Sequence, residues 1–187
     1  MVGTDDARSD EALLSAIAGG DEQALTAFYR RHAAVVRAFA QRRLGEPADA
    51  AEVLNEAMLE VWRKAATFAG QSRPRTWLLG IANHKILDKL RRRGTPTAEL
   101  DESLPDPDAD RGLGEIEAQQ RAGLVQQCLE TLGDLHRQVV HLTFYQELSY
   151  PEIAEVLGCP LGTVKTRMFH ARKALERCVR GLLGGAA

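Results

Sequence analysis

The chain has 187 residues, 44% of them hydrophobic, and a formal net charge of −2; that is enough apolar material for one ordinary domain or two small helical ones with packed cores. No stretch approaches the roughly 18 uninterrupted apolar residues of a transmembrane helix, and the opening MVGTDDARSDEALL lacks the basic-then-apolar order of a signal peptide, so a cytoplasmic protein is expected. The slight net acidity excludes a protein that grips nucleic acid by bulk charge and leaves that task to local basic patches.

From Ser9, the spacing of Leu13, Leu14 and Ile17 predicts a short amphipathic helix closed by Gly19-Gly20, with Asp21 placed to cap the next one. That second helix is long. Its apolar residues Leu25, Phe28, Val35, Val36, Phe39 and Leu44 run at helical spacing to Gly45, with Arg30, Arg31, Arg37, Arg42 and Arg43 between them. After Glu46-Pro47, a third helix carries Val53, Leu54, Ala57, Met58, Val61, Trp62 and Ala65 on one broad face. Asp49, Glu52, Asn55, Glu56, Leu59, Glu60 and Arg63 fall elsewhere on its surface, which makes the far side acidic. A small, polar and basic loop, residues 69–75, leads to a fourth helix from about Thr76 to Arg92, which ends in Lys89, Arg91, Arg92 and Arg93.

Between residues 94 and 114 the composition changes to GTPTAELDESLPDPDADRGLG, where Pro, Gly, Asp and Glu displace almost all large apolar residues. A flexible acidic linker is expected there. Helical spacing resumes from Ile116 to Leu132 and from Arg137 to Phe144, and two further helical segments end near Leu183. The predicted architecture is all-α: a helical domain over residues 1–93, the linker over 94–114, and a second helical domain over 115–187.

The most specific local signal is SYPEIAEVLGCPLGTVKTRMFHARKALE, residues 149–176. Ser149 and Glu152 have capping-box spacing; Ile153, Ala154, Val156 and Leu157 form a buried side; Gly158 supplies a positive-φ turn, and Pro160 suits the first turn of the next helix. In that helix Val164, Met168, Ala171 and Leu175 point to the core, while Thr163, Lys165, Thr166, Arg167, His170 and Lys173 lie on the remaining face. This is a helix-turn-helix, whose second helix fits the DNA major groove and offers cations to guanine edges and phosphates.

Cys128, Cys159 and Cys178 include no C-x-x-C pair, so neither a disulfide framework nor a zinc site follows from their spacing, and ordinary thiols are expected. His136 and His141 are five apart, His32 and His84 lie on different segments, and no H-E-x-x-H, phosphate-binding glycine loop or nucleophile elbow occurs. No catalytic residue, metal ligand, cofactor or small-molecule substrate is expected.

Together, DAAEVLNEAMLEVWRKAATF at 49–68, RPRTWLLGIANHKILDKLRRR at 73–93 and LETLGDLHRQVVHLTFYQELSYPEIAEVLGCPLGTVKTRMFHARKAL at 129–175 resemble the extracytoplasmic-function sigma factors of the sigma-70 family, in two unlike blocks in the family's order. The resemblance implies a promoter-specific, dissociable subunit of RNA polymerase without a catalytic site of its own. It implies that Asp49, Glu52, Asn55, Glu56, Leu59 and Trp62 dock on the polymerase core, where acidic, amide and apolar groups suit a partner helix with basic and apolar residues.

The resemblance further implies that Ser72, Arg73, Arg75, Asn83, His84, Lys85, Lys89, Arg91 and Arg92 handle the minus-ten element, by base capture and phosphate contacts. Asn83 is followed by His84, so the position where the family frequently carries Asn holds His84 here, and Glu60 stands where relatives are often basic. Thr163, Lys165, Thr166, Arg167, His170 and Lys173 are implied to read the minus-thirty-five element. An anti-sigma factor is the implied inhibitor, often membrane-bound, so that the protein is held at the membrane only indirectly. The competing readings are an autonomous helix-turn-helix repressor or activator, which accounts for the C-terminal half alone, and an enzyme or metal protein, which lacks any motif.

Overall fold

A computed structural model describes residues 7–94 and 118–184. The regular structure there is helical, with no strand among the described residues: α1 (Asp10–Ala18), α2 (Glu22–Leu44), α3 (Pro47–Lys64), a 3-10 turn (Ala65–Thr67), α4 (Pro74–Arg92), α5 (Ala118–Glu130), α6 (Asp134–Phe144), α7 (Tyr150–Leu157) and α8 (Leu161–Gly184). The molecule divides into two compact units, the first built from α1 to α4 and the second from α5, α6, α8 and the start of α7. Most of the expected linker lies outside the described residues.

In the first unit α1 and α2 begin where the sequence provides a side-chain cap, whereas α3 and α4 each open on a proline. Ser9 Oγ accepts from Ala12 N–H at 3.2 Å, and Asp21 Oδ1 accepts from Gln23 and Ala24 N–H, both at 2.9 Å, so orphan donors at two helix starts are satisfied. Those backbone bonds, led by the one from Ala24, and the neighbouring Arg8 hold the Asp21 carboxyl below its ordinary value. Gly45 ends α2 at φ +78°, a conformation an L side chain resists, and Pro47 opens α3 without the loss of a helical hydrogen bond.

Helix α2 packs against α1, α3 and α4, and α3 packs against α4. The core holds Phe28, Val36 and Phe39 from α2, Val53, Leu54, Met58 and Val61 from α3, and Leu78, Leu79 and Ile86 from α4. Each such side chain contributes about 1.5–3 kcal/mol on full burial. Buried His32 sits 2.9 Å from Asp10, which also receives Arg31 at 2.6 Å, so α1 is pinned to α2 through polar as well as apolar contacts. Burial pushes the His32 imidazole below its ordinary pKa, against the pull of Asp10.

In the second unit α8 packs against α5 and α6. Helix α6 starts at Asp134 with Gly133 as its N-cap, three residues before the expected Arg137. Arg137 instead serves the preceding helix end: its guanidinium donates to the carbonyls of Leu129 at 3.1 Å, Glu130 at 2.9 Å and Leu132 at 2.6 Å, which satisfies acceptors a helix C-terminus leaves open. The expectation of three ordinary thiols is corrected. Cys128 on α5 and Cys178 on α8 form a disulfide, with Cα atoms 5.8 Å apart, and Cys159 alone is free.

Candidate functional site

Two surfaces carry the residues singled out from the sequence, one on α7–α8 and one on α3–α4. At the start of α7, Glu152 reaches back to accept from Ser149 N–H at 2.9 Å, the carboxylate half of the expected capping box, and the Ser149 hydroxyl donates to the same oxygen at 2.7 Å. Gly158 adopts φ +63°, and the Pro160 carbonyl accepts from Thr163 and Val164 at 3.0 and 3.3 Å. The chain therefore turns within three residues into a long second helix. Val164, Met168 and Ala171 are buried as expected, and Leu175 is half-buried.

The opposite side of α8 is narrower than the sequence suggested. Lys165 and Lys173 are exposed, while Thr163, Thr166, Arg167 and His170 are half-buried along its flanks. Arg167 lies 4.0 Å from the Cys159 sulfur in the turn, and His170 meets the rings of His136 and Phe169 at 6.0 and 5.5 Å between centroids. Two residues of the outward face were missed. Arg172 is exposed, and Phe169 supports the Lys173 ammonium, which sits 4.3 Å from the ring centroid. Positions 165, 169, 172 and 173 follow helical i, i+4, i+7 and i+8 spacing, so the signal was present in the pattern; Phe169 is passed over because its type reads as core.

On α3 the apolar face is buried as the sequence predicts, except that Trp62 is half-buried at its edge. The outer face presents Glu52 and Asn55 exposed, Glu56 half-buried and Leu59 with 48% of its surface open to solvent. These four fall within two turns on one side of the helix, and an open leucine among carboxylates and an amide gives that side the mixed character of an interface.

The nine residues assigned to the minus-ten element do not form one cluster. Ser72, Arg73 and Arg75 stand at the N-terminal end of α4, where Phe68 packs on Trp77 at 5.3 Å and fixes the approach of the loop. Arg91 and Arg92 are exposed at its other end, about 27 Å away at 1.5 Å per residue. His84 is exposed between them, but Asn83 is only 2% exposed and accepts from Arg43 of α2 at 2.6 Å. Asn83 is therefore turned into the unit, where its amide ties α2 to α4.

Lys85 and Lys89 face α3. Lys85 lies 3.6 Å from Glu60, and Lys89, its side chain 11% exposed, donates to Asp49 at 3.0 Å and Glu52 at 2.6 Å. Arg93 also pairs with Asp49 and donates to the Leu44 carbonyl at 3.0 Å. Hydrogen bonding and attraction from Lys89 hold the Glu52 carboxyl below its ordinary value, and Lys64, with help from Lys85, does the same to Glu60. Asp88 lies 3.1 Å from Arg91.

Residues 28–95 match the Sigma-70 region 2 family and residues 122–175 the Sigma-70 region 4 family. Among similar proteins, the ECF RNA polymerase sigma factor SigK of Mycolicibacterium vanbaalenii is 30% identical over 173 residues, covering 90% of this chain and 88% of its own. SigK of Mycobacterium ulcerans is 32% identical, covering 92% and 95%. The chain belongs to the ECF sigma factors. It is thus a subunit of transcription initiation that binds RNA polymerase core and promoter DNA and directs promoter-specific initiation. The RNA polymerase sigma-H factor of Pseudomonas aeruginosa is 29% identical over 184 residues. The solved structure of CnrH in complex with the cytosolic domain of CnrY aligns at TM-score 0.62 and 25% identity, covering 95% of this chain and 99% of that one. A Bartonella quintana RpoE, in complex with the anti-sigma factor NepR, shares the fold at TM-score 0.56 and 24% identity over 78% of this sigma factor.

Proposed function

We propose that the two units of this sigma factor divide the work. The domain over residues 1–93 docks on polymerase through Glu52, Asn55, Glu56 and Leu59 of α3, with Asp49 and Trp62 at the margins, and engages the minus-ten element along α4. The domain over residues 115–187 reads the minus-thirty-five element as duplex, and residues 94–114 form the linker between them. The observation that carries this reading is the outward row Lys165, Arg172 and Lys173 on the second helix of a helix-turn-helix, the element that enters a major groove in this motif.

At the minus-ten element, Ser72, Arg73 and Arg75 are placed to meet an unstacked base near the start of α4, His84 to touch the strand midway, and Arg91 and Arg92 to hold its phosphates beyond. That arrangement suits a strand laid along the helix better than a single pocket. The chain performs no bond-making step itself.

CnrH and the Bartonella RpoE were each solved with a second protein bound. In keeping with this, we infer an anti-sigma factor that covers the polymerase-binding face until a signal removes it, a control by differential binding. No helix among the described residues is long and apolar enough to cross a membrane; the cytoplasm is the proposed compartment, with any retention at the membrane due to the inhibitor.

In vitro transcription from genomic promoter fragments tests the reading, comparing core alone, this protein alone and both. Specific transcripts are expected only with both. An unresponsive core, together with specific retardation of duplex DNA by the protein alone, would replace it with an autonomous regulator.

A further inference from the structure

The cations of α4 divide by where they point. Lys85, Lys89 and Arg93 are spaced four apart, which sets them in one row along the helix, and each is paired with a carboxylate of α3: Lys85 with Glu60 at 3.6 Å, Lys89 with Asp49 and Glu52 at 3.0 and 2.6 Å, and Arg93 with Asp49. Arg91 and Arg92 lie to the side of that row and are exposed, with Arg91 3.1 Å from Asp88 of its own helix; Arg93 is exposed too, but its guanidinium is turned to Asp49.

Glu52 stands on both surfaces at once. Its carboxylate takes the shortest bond from Lys89, yet 55% of its side chain is open to solvent on the face that carries Asn55 and Leu59. A carboxylate has about four lone-pair sites, so Glu52 can begin to accept an incoming cation before Lys89 leaves. Ion pairs open to solvent on one side are weak, and the flexible four-carbon stem of lysine lets its ammonium swing to a new acceptor. Released, Lys89 would join Arg92, three residues on and a neighbour on the helix surface, to form a denser basic end.

We propose that Asp49 and Glu52 hold Lys89 and Arg93 in an autoinhibitory contact. In the free sigma factor the carboxylates of α3 keep two cations away from nucleic-acid phosphates; a partner that takes up those carboxylates with its own cations releases Lys89 and Arg93 to the promoter strand. The contact thereby makes strand capture depend on docking. The releasing partner is polymerase core, so this part rests on the reading of α3 as the docking face.

The test is fluorescence anisotropy of a labelled single-stranded oligodeoxynucleotide with the full chain, without polymerase, across a salt series. Asp49→Asn with Glu52→Gln is expected to bind on the order of fivefold tighter at low salt, with a salt slope steeper by about 1.4, the value for two further phosphate contacts on a single strand. Adding Lys89→Met and Arg93→Met should abolish the gain. Glu11→Gln with Glu22→Gln, which removes two exposed carboxylates elsewhere, should give a smaller gain. Glu52→Gln alone changes only a half-exposed side chain and should show part of the effect if the double variant folds poorly.

An equal gain from the Glu11 and Glu22 pair, or a gain that survives loss of Lys89 and Arg93, would overturn the contact. Core binding, measured in parallel, separates the two claims. A DNA gain with unchanged core affinity contradicts docking and leaves the masking contact standing; weakened core affinity with no DNA gain does the reverse.

Discussion

The two basic helices of this sigma factor look alike in the sequence and behave differently in the structure. Helix α4 is held to α3 by a ladder of ion pairs that occupies Lys85, Lys89 and Arg93, whereas α8 is tied to α5 by the Cys128–Cys178 disulfide and presents Lys165, Arg172 and Lys173 outward. A run of cations is therefore not in itself a phosphate-binding site. What decides is whether the neighbouring helix brings carboxylates to meet it, and for α4 the neighbour is the helix whose outer face suits a protein partner.

The largest effect that sharpens this contrast is expected at the disulfide. It closes a 50-residue separation, and by chain entropy such a link is worth about 4 kcal/mol. Cys128→Ser with Cys178→Ser should lower the calorimetric transition of the second unit and leave that of the first in place; equal shifts in both would break the division into two independently held units.

Next comes the split within α4. Replacing Arg91 and Arg92 by Ala should weaken promoter opening and make its salt dependence shallower by about 1.4 in slope, the value for two lost phosphate contacts on a single strand. Lys85→Ala should leave opening nearly unchanged and loosen α3–α4 packing instead. Opening assays with polymerase, together with urea melts of the free chain, distinguish the two outcomes, and the reverse ranking would show that the paired cation is the one DNA uses.

The smallest effect is acid sensitivity. The Glu52 carboxyl is held below its ordinary value of 4.5, chiefly by Lys89, so its stabilising contribution is complete above that pH and is lost as the pH falls through the lowered value. Glu52→Gln should flatten the acid limb of the first unit's stability profile below about pH 4.5. An unchanged limb would mean that the Lys89 pair contributes nothing to α3–α4 packing.

Much of this was legible in the sequence because it depends on near neighbours. The apolar spacing of α2 and α3, the Asp21 cap, the Ser149–Glu152 pair and the Gly158 turn are all decided within a few residues. What could not be read joins distant positions: Cys128 to Cys178, Asp49 to Lys89, and Arg43 to Asn83, pairs that meet only once helices pack. That is why Asn83 and Lys89 look like surface polar residues in the sequence and are drawn into the fold in the structure. Phe169 was within reach of pattern reading but was hidden by its residue type, since an aromatic side chain is usually assigned to the core.

If the outward row on α8 selects the promoter, Lys165→Ala with Arg172→Ala separates promoter reading from polymerase docking, with core affinity and promoter-specific transcription measured on the same preparation. Core affinity should be kept while transcription falls roughly 5- to 150-fold, the range for about 1–3 kcal/mol of lost base contacts. Unchanged transcription from this variant would show that the row does not read the promoter.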